Sequence, residues 1–264
     1  MISSMKIAIA GKGGSGKSTV AGALALLQAR AGCRVLAVDA DPDANLAAVL
    51  GVSAERQREI VPISERRALI EERTGAKVRQ YGQMFKLNPE VADIADNCAL
   101  VHEGVALLVL GAIEAGGSGC ACPESVLIKA LVADLVLHKD EALVMDMEAG
   151  VEHLGRGTAR GVDTLLVVVE PSRMSLDCAD RVFRMAAEIG LTDVRVVANK
   201  IATPDDERWL RDALADREIV AAIPLSEGIR AADRDGRPVV NGLDGETLGV
   251  FEDLLQVLQG EAAR

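Results

Sequence analysis

A glycine-rich loop near the start of the chain constrains the fold more than any other feature of the sequence. This phosphate loop, Gly11–Ser18, reads GKGGSGKS and stands between a short apolar run, Lys6–Ala10, and a helix pattern, Ser18–Ala31. It satisfies the pattern G-x-x-x-x-G-K-[ST] in the strand–loop–helix context in which that pattern binds phosphate. Glycines let backbone N–H groups approach an anion closely, and the following helix presents its positive end. The loop therefore predicts a nucleotide-binding α/β protein.

The side chains of the loop predict how the nucleotide is held. Lys17 is expected to reach the β- and γ-phosphates, and the Ser18 hydroxyl is expected to ligate Mg²⁺. The other positions of this region predicted to contact the nucleotide are Gly13, Gly14, Ser15, Gly16 and Thr19. The alternative is a glycine-rich turn in which the Lys-Ser pair is incidental.

Short apolar runs alternate with helix patterns along the chain. The predicted strands are Lys6–Ala10, Arg34–Val38, Val105–Leu110, Ala142–Met147, Thr164–Val169, Val194–Ala198 and Ile219–Ile223. The predicted helices are Ser18–Ala31, Pro123–His138, Ser175–Ile189, Pro204–Ala215 and Glu246–Leu258. Continuous Val, Leu, Ile and Ala runs are typical of parallel strands covered on both faces, and β/α alternation is typical of a doubly wound sheet. We expect one domain, 1–264, with a doubly wound, mostly parallel sheet flanked by helices and a mostly helical insertion at about 52–103.

Charge and apolar pattern argue against several classes of partner. The chain has 29 Lys and Arg against 40 Asp and Glu, a net charge of −11, and no run of basic residues. Such a chain repels nucleic acid and anionic lipid. No apolar stretch reaches the ~20 residues of a membrane span, and Met1–Lys6 lacks the apolar core of a signal peptide. We therefore expect a cytoplasmic protein with no nucleic-acid or membrane partner.

Two acidic segments follow predicted strands, where sheets of this kind bind nucleotide. The first contains Asp39, Asp41 and Asp43. Asp41 is the candidate to orient or deprotonate the attacking water, and the other two are candidate indirect partners of Mg²⁺. The second segment begins with Asp146, predicted to hold Mg²⁺ through water, and ends with Gly150, whose N–H is a candidate donor to the γ-phosphate. The alternative for the first segment is an acidic turn that caps a helix.

The Asn-Lys pair at the end of a later strand bears on the choice of base. Asn199 is predicted to contact the purine. In N-K-x-D proteins, an Asp two residues after the Lys accepts hydrogen bonds from guanine. Here that position, two after Lys200, is Ala202, so the sequence favours ATP over GTP.

The pair Cys120 and Cys122, in a glycine-rich stretch, is the second distinctive pattern. Cysteines two positions apart make a strained internal disulfide, but two thiolates in a bent loop suit Zn²⁺, Ni²⁺, Cu⁺ or an iron–sulfur cluster. Because two thiolates fill half of a four-coordinate shell, a two-fold dimer with this loop at its axis would complete the shell. The alternative is two small buried hydrophobic residues. The remaining cysteines, Cys33, Cys98 and Cys178, are predicted to be structural. His153 is also predicted to be structural, and the alternative is a further metal ligand.

The phosphate loop, G-K-G-G-x-G-K-S, resembles the deviant Walker A motif of the family containing nitrogenase iron protein, cell-division and plasmid-partition ATPases, and arsenite-pump ATPases. Two further segments, Gly116–Glu124 and Asp146–Asp163 (DMEAGVEHLGRGTARGVD), resemble the nickel-insertion ATPases that mature carbon monoxide dehydrogenase. The resemblance implies that Lys12 crosses a two-fold dimer interface and stabilises charge on the phosphoryl group of the partner's nucleotide. By the same analogy, Pro224 lies at the wall of the base pocket.

The resemblance implies a cytoplasmic homodimer that binds ATP or ADP with Mg²⁺. Cys120 and Cys122 of both chains would hold one Ni²⁺ or Zn²⁺ at the interface, with carbon monoxide dehydrogenase as the client. The candidate catalytic residues are then Lys12, Lys17 and Asp41. An ATP-dependent iron–sulfur electron carrier, a partition or positioning ATPase, and a metal-storage or metal-sensing protein remain alternatives. The net charge of −11 counts against the partition ATPase.

Overall fold

The computed structural model describes residues 5–78, 83–112, 122–138, 141–151 and 154–260. These residues form one eight-stranded sheet in the spatial order β3-β4-β2-β5-β1-β6-β7-β8. The strands are β1 (Lys6–Gly11), β2 (Val35–Asp39), β3 (Leu100–His102), β4 (Val105–Val109), β5 (Ala142–Asp146), β6 (Thr164–Val169), β7 (Val194–Ile201) and β8 (Ile219–Pro224). Neighbours are parallel except β3 and β4, which are antiparallel. The predicted doubly wound, mostly parallel sheet is confirmed.

Helices connect the strands and cover the sheet. They are α1 (Lys17–Arg30), α2 (Leu46–Val49), α3 (Ala54–Gln57), α4 (Arg67–Thr74), α5 (Ile94–Cys98), α6 (Pro123–His138), α7 (Arg173–Ile189), α8 (Pro204–Ala213), α9 (Glu227–Arg234) and α10 (Gly245–Leu258). Short 3₁₀ turns occur at 63–65, 159–161 and 239–242. Within the described ranges, no helix is both long enough and apolar enough to cross a bilayer.

The two faces of the sheet pack against different helices because side chains alternate along each strand. In β1, Ala8 and Ala10 belong to a core that includes α6 and α7, whereas Ile7 and Ile9 belong to a core that includes α1 and α10. Phe251 of α10 is fully buried in the second core. Burial of such a side chain contributes about 1.5–3 kcal/mol. The central strands are therefore covered on both faces, which explains their continuous apolar sequences.

Every predicted strand and helix is present, with ends that differ by at most three residues. The largest difference is in β7, which continues through Asn199 to Ile201. The sequence did not predict α9 or the edge strand β3. Of the three cysteines predicted to be structural, Cys178 is buried, and Cys33 and Cys98 are half-buried and pack on the cores.

The region 52–103 corrects one prediction. It contains α3, α4 and α5, but helices cover less than half of its described residues, so it is not mostly helical. Its last part is β3, which pairs with β4 for three residues. Arg56 of α3 lies against this edge strand, and its guanidinium donates to the Val101 carbonyl at 3.3 Å. Short helices separated by Gly75 and Pro62 explain why no long helical period develops.

Candidate nucleotide and metal sites

The phosphate loop lies at the carboxyl edge of the sheet, where β1 ends between β5 and β6. Two of its glycines have no room for a side chain. A Cβ on Gly11, which has φ +149°, would lie 2.4 Å from the Val168 carbonyl oxygen. A Cβ on Gly16, which has φ +98°, would lie 2.1 Å from the Asn199 amide nitrogen. The chain can therefore form this loop, and present its N–H groups, only with glycine at these positions.

Lys17, the first residue of α1, is held inside the loop rather than in solvent. Its side chain is 6% exposed, and its Nζ lies 3.4 Å from Asp41 Oδ2. A buried ammonium that forms its described ion pair with a carboxylate is well placed to exchange that carboxylate for a phosphate. The structure thus brings together two of the three candidate catalytic residues, Lys17 and Asp41.

Asp39, at the end of β2, organises the turn that carries Asp41. Its two carboxylate oxygens accept from the backbone N–H of Asp41 at 3.3 Å and of Leu46, the first residue of α2, at 2.9 Å. Burial raises the pKa of Asp39 to about 6, although these hydrogen bonds oppose the rise. Asp41 in turn accepts from the Asp43 N–H at 3.0 Å. The acidic segment therefore forms a helix-leading turn, as the alternative reading expected, and still directs Asp41 towards Lys17.

Asp146 ends β5 beside Asp39, with which it is in register across the sheet. It is fully buried, and neither carboxylate oxygen has a hydrogen-bond partner among the described residues. Burial, reinforced by the charge of Asp39, raises the pKa of Asp146 to about 7; the nearby Ser18 hydroxyl and Lys17 counteract this only in part.

A buried carboxylate without partners is costly, so it normally marks a missing ligand. Mg²⁺ prefers carboxylate, hydroxyl and water oxygens, and it keeps several of its waters. The pair predicted for this ion, Asp146 and Ser18, offers these oxygens on adjacent elements at the end of the phosphate loop. The residues present therefore fit the predicted Mg²⁺.

Lys12, Lys200 and Glu170 form an ion network on the outside of the phosphate loop. Lys12 Nζ lies 2.9 Å from Glu170 Oε1, and Lys200 Nζ lies 3.2 Å from Glu170 Oε2. Lys200 Nζ also donates to the Gly14 carbonyl. Burial alone raises the pKa of Glu170, but the hydrogen bonds from the two lysines outweigh it and hold this pKa below its usual value. Glu170 is thus a charged residue shared by two lysines.

Sequence reasoning missed Glu170 as a site residue. The available signal was its position, because it directly follows β6, the parallel strand next to β1. The predicted role of Lys12 across a dimer interface stays a prediction, since the described contact of Lys12 is with its own chain.

Asn199 was predicted to read the base, and the structure gives it a different contact. Its amide nitrogen donates to the Ser15 carbonyl at 2.8 Å, while its amide oxygen accepts from the Lys200 N–H at 2.9 Å. Asn199 is 5% exposed, and its hydrogen bond to Ser15 connects β7 to the phosphate loop. A contact with the purine stays a prediction, as does that of Pro224, which ends β8.

The predicted thiolate site is only partly within the described residues. Cys120 lies outside them, as does His153. Cys122 is half-buried directly before α6, where its Sγ accepts from the Ser125 N–H at 3.4 Å. Burial raises the pKa of the Cys122 thiol, although that hydrogen bond opposes it. No group of three metal-ligating side chains occurs in the part of the chain that the structure describes.

The segment after β5 contacts α7 through its backbone. Gly150 is buried, and the preceding carbonyl, of Ala149, accepts from the Cys178 thiol of α7 at 3.8 Å. The predicted γ-phosphate donor is therefore placed next to α7, and its contact with nucleotide stays a prediction.

Comparison with known proteins places these features in context. The profile of the CobQ/CobB/MinD/ParA nucleotide binding domain matches residues 6–239. The carbon monoxide dehydrogenase accessory protein CooC from Rhodospirillum rubrum is 44% identical over 232 residues, which are 88% of this chain and 88% of that protein. A chain of the MinC:MinD cell division protein complex from Aquifex aeolicus has a TM-score of 0.71 at 21% identity, over 98% of this chain and 97% of that chain. The septum site-determining protein MinD from Pyrococcus horikoshii, complexed with Mg-ADP, has a TM-score of 0.65 at 21% identity, over 98% and 97%.

Proposed function

We infer that this chain, which belongs to the CobQ/CobB/MinD/ParA family of nucleotide-binding ATPases, uses ATP hydrolysis to deliver a soft divalent metal ion to a client enzyme. The matched family and the likeness to CooC confirm the resemblance predicted from the sequence, and the chain is an ATP-binding ATPase. The metal, the client and the dimer are our proposal. The observation that carries it is a Cys-x-Cys pair on a connection that starts beside the nucleotide site.

That connection runs from β4 to α6. At its start, the Leu110 N–H donates to the Asp39 carbonyl oxygen at 2.9 Å, and at its end Cys122 precedes α6. Asp39 also holds the turn that carries Asp41, the partner of Lys17. When ATP replaces Asp41 as the partner of Lys17, the turn held by Asp39 would change. Because Leu110 is hydrogen-bonded to Asp39, that change would reach the start of the connection that carries the cysteines.

The chemistry of the pair selects the class of metal. Thiolates are soft ligands that favour Ni²⁺ or Zn²⁺ over Mg²⁺ or Ca²⁺. Cys120 and Cys122 supply two of the four ligands of a tetrahedral or square-planar ion. The same two residues of a second copy, related by a two-fold axis, complete the shell. Metal affinity then depends on the spacing of the two chains, and that spacing depends on the nucleotide.

The proposed dimer also gives Lys12 its role. In the ATP-bound dimer, Lys12 reaches the nucleotide of the partner and stabilises the charge that develops on the transferred phosphoryl group. Hydrolysis removes that contact, opens the interface and releases the metal. The likeness to an accessory protein of carbon monoxide dehydrogenase makes that enzyme the proposed client and Ni²⁺ the proposed cargo.

Substitution of the cysteines tests the metal site. Cys120→Ser and Cys122→Ser are expected to abolish binding of one Ni²⁺ or Zn²⁺ ion per dimer, whereas Mg²⁺-dependent ATP hydrolysis in the absence of Ni²⁺ and Zn²⁺ is retained, because the cysteines lie apart from the phosphate loop in the sequence. The matched control is Cys33→Ser, a half-buried cysteine that precedes β2 at the opposite end of the sheet. Binding of Ni²⁺ and Zn²⁺ is measured by titration with and without ATP, together with the thiolate charge-transfer absorption and the mass by light scattering.

Three results would contradict the proposal: tight binding of one metal per dimer by either serine variant, equal loss in the Cys33→Ser control, or a single protomer under all nucleotide and metal conditions. The client is tested separately. Nickel-free carbon monoxide dehydrogenase is expected to gain activity when the Ni²⁺-loaded protein and ATP are added, and to gain none with Lys17→Ala.

A further inference from the structure

Glu170 is a charged side chain in contact with Lys12 that the proposed function does not use. We propose that Glu170 is a positioning residue for Lys12: its carboxylate holds the Lys12 ammonium on its own protomer until nucleotide displaces it. The proposal rests on the role of Lys12 in the proposed function. It adds a residue that controls when Lys12 is available.

The backbone of Glu170 is held in place by the sheet and by α7. Glu170 directly follows β6, and Val168 of that strand is in register with Gly11 of the phosphate loop. The Glu170 N–H donates to the buried Ser175 hydroxyl of α7 at 3.1 Å. The carboxylate therefore stays at the edge of the loop when Lys12 moves, and movement of Lys12 towards a phosphate must break the 2.9 Å contact with Glu170.

The second lysine makes this release possible at low cost. A carboxylate that loses its only cationic partner in a half-buried place carries a large desolvation penalty. Glu170 keeps Lys200 at 3.2 Å on its other oxygen, and Lys200 is anchored on the Gly14 carbonyl. Because Glu170 remains paired, Lys12 can exchange a carboxylate for a triphosphate without leaving an isolated charge behind.

Lys12 is also the more exposed partner, with 29% of its side chain accessible against 19% for Glu170. Lys12 lies in the glycine-rich phosphate loop, whereas Glu170 directly follows the central strand β6. The direction of the exchange follows: Lys12 leaves, Glu170 stays. Removal of the carboxylate charge should therefore favour nucleotide binding by the amount that the ion pair opposes it.

The experiment uses Glu170→Gln, which keeps the shape and removes the charge, in the full chain with and without Lys12→Ala. With Lys12 present, Glu170→Gln is expected to tighten binding of a fluorescent ATP analogue by about threefold to fivefold, the effect of one partly exposed ion pair. In the Lys12→Ala background the same substitution is expected to have less than half of that effect. The matched control is Glu141→Gln, which removes the partner of Arg34 at the opposite end of the sheet and should leave binding unchanged.

The outcomes separate the inference from the proposed function. An equal effect of Glu170→Gln in both backgrounds would mean that the carboxylate acts only through the general charge of the site, and the inference would be overturned. Slow hydrolysis by Lys12→Ala together with no effect of Glu170→Gln overturns the inference alone, while normal hydrolysis by Lys12→Ala overturns both. Should Glu170→Gln fold poorly in a thermal melt, Glu170→Asp, which withdraws the carboxylate by one methylene, is expected to shift binding in the same direction.

Discussion

The buried carboxylate of Asp146 should lower the free energy of unfolding of the protein when Mg²⁺ and nucleotide are absent. The substitution Asp146→Asn tests this. The side chain is fully buried and lacks a hydrogen-bond partner among the described residues, and burial raises its pKa to about 7. The folded state therefore binds this proton more tightly than the unfolded chain does, whose Asp titrates near about 4. Between these values the free energy of unfolding must fall as the pH rises.

The magnitude follows from the two pKa values. A rise of about three pH units corresponds to roughly 4 kcal/mol, and this is an upper bound because Asp39, with a pKa near 6, shares the same field. Asp146→Asn keeps the shape and removes the ionisation. At pH 5 the folded side chain is neutral but the unfolded wild-type Asp is already mostly ionised, so the variant should be more stable by up to about 1.5 kcal/mol. At pH 8 the variant should be more stable by up to about 4 kcal/mol.

Urea denaturation at pH 5 and pH 8, with EDTA and without nucleotide, measures this difference. The variant should also lose Mg²⁺-dependent hydrolysis, because the amide cannot replace the anionic carboxylate at the metal. The reasoning is refuted if the loss of stability between pH 5 and pH 8 is the same in both proteins. A variant that is more stable but inactive would show that the buried carboxylate of Asp146 destabilises the folded protein and is needed to bind the metal.

Three other substitutions test the phosphate loop. The Lys12→Ala variant is expected to bind nucleotide but to dimerise weakly with ATP. Its kcat should fall by about 10²–10³-fold, as it does when one charge-stabilising donor is removed. Normal steady-state turnover would rule out a role of Lys12 in stabilising charge on the phosphoryl group. Gly16→Ala would place a Cβ 2.1 Å from the Asn199 amide at φ +98°, so a loss of about 1–3 kcal/mol in stability and of ATP binding is expected; an unchanged urea midpoint would argue against the tight fit. Asn199→Ala removes the 2.8 Å bond to the Ser15 carbonyl and should cost about 1–2 kcal/mol and weaken binding of ATP and GTP alike; a change confined to one base would instead indicate that Asn199 reads the purine.

The sequence predicted the parts of the fold that repeat a simple pattern. Continuous apolar runs identified β1, β2 and β4–β8, because strands buried on both faces need such residues along their whole length. The position of the phosphate loop between β1 and α1 was predictable, since its glycines and lysine have few other uses in that spacing. Asp39 and Asp146 were found by position, at the carboxyl ends of strands, where parallel sheets bind ligands.

The remaining features depend on contacts between distant segments. The edge strand β3 is three residues long, too short for a period of two to be recognised. Asn199 was predicted to contact the purine from its position at the end of a strand, and this stays a prediction; the hydrogen bond from its amide to the Ser15 carbonyl, 184 positions away in the chain, was not predicted. The Glu170 carboxylate pairs with Lys12, 158 positions before it, and with Lys200, 30 positions after it. No local sequence pattern predicts contacts between residues so far apart.

The guanidinium of Arg56 on the edge strand β3 has a consequence for assembly. An unpaired edge invites another strand to extend the sheet, which is how many β-rich proteins aggregate. Here the edge offers only three residues, and the Val101 carbonyl already accepts from a cation, so an incoming strand must strip that charge to gain one hydrogen bond. Extension of the sheet between molecules is therefore disfavoured at the β3 edge. Two copies of the protein can associate through another surface without forming fibres through this edge.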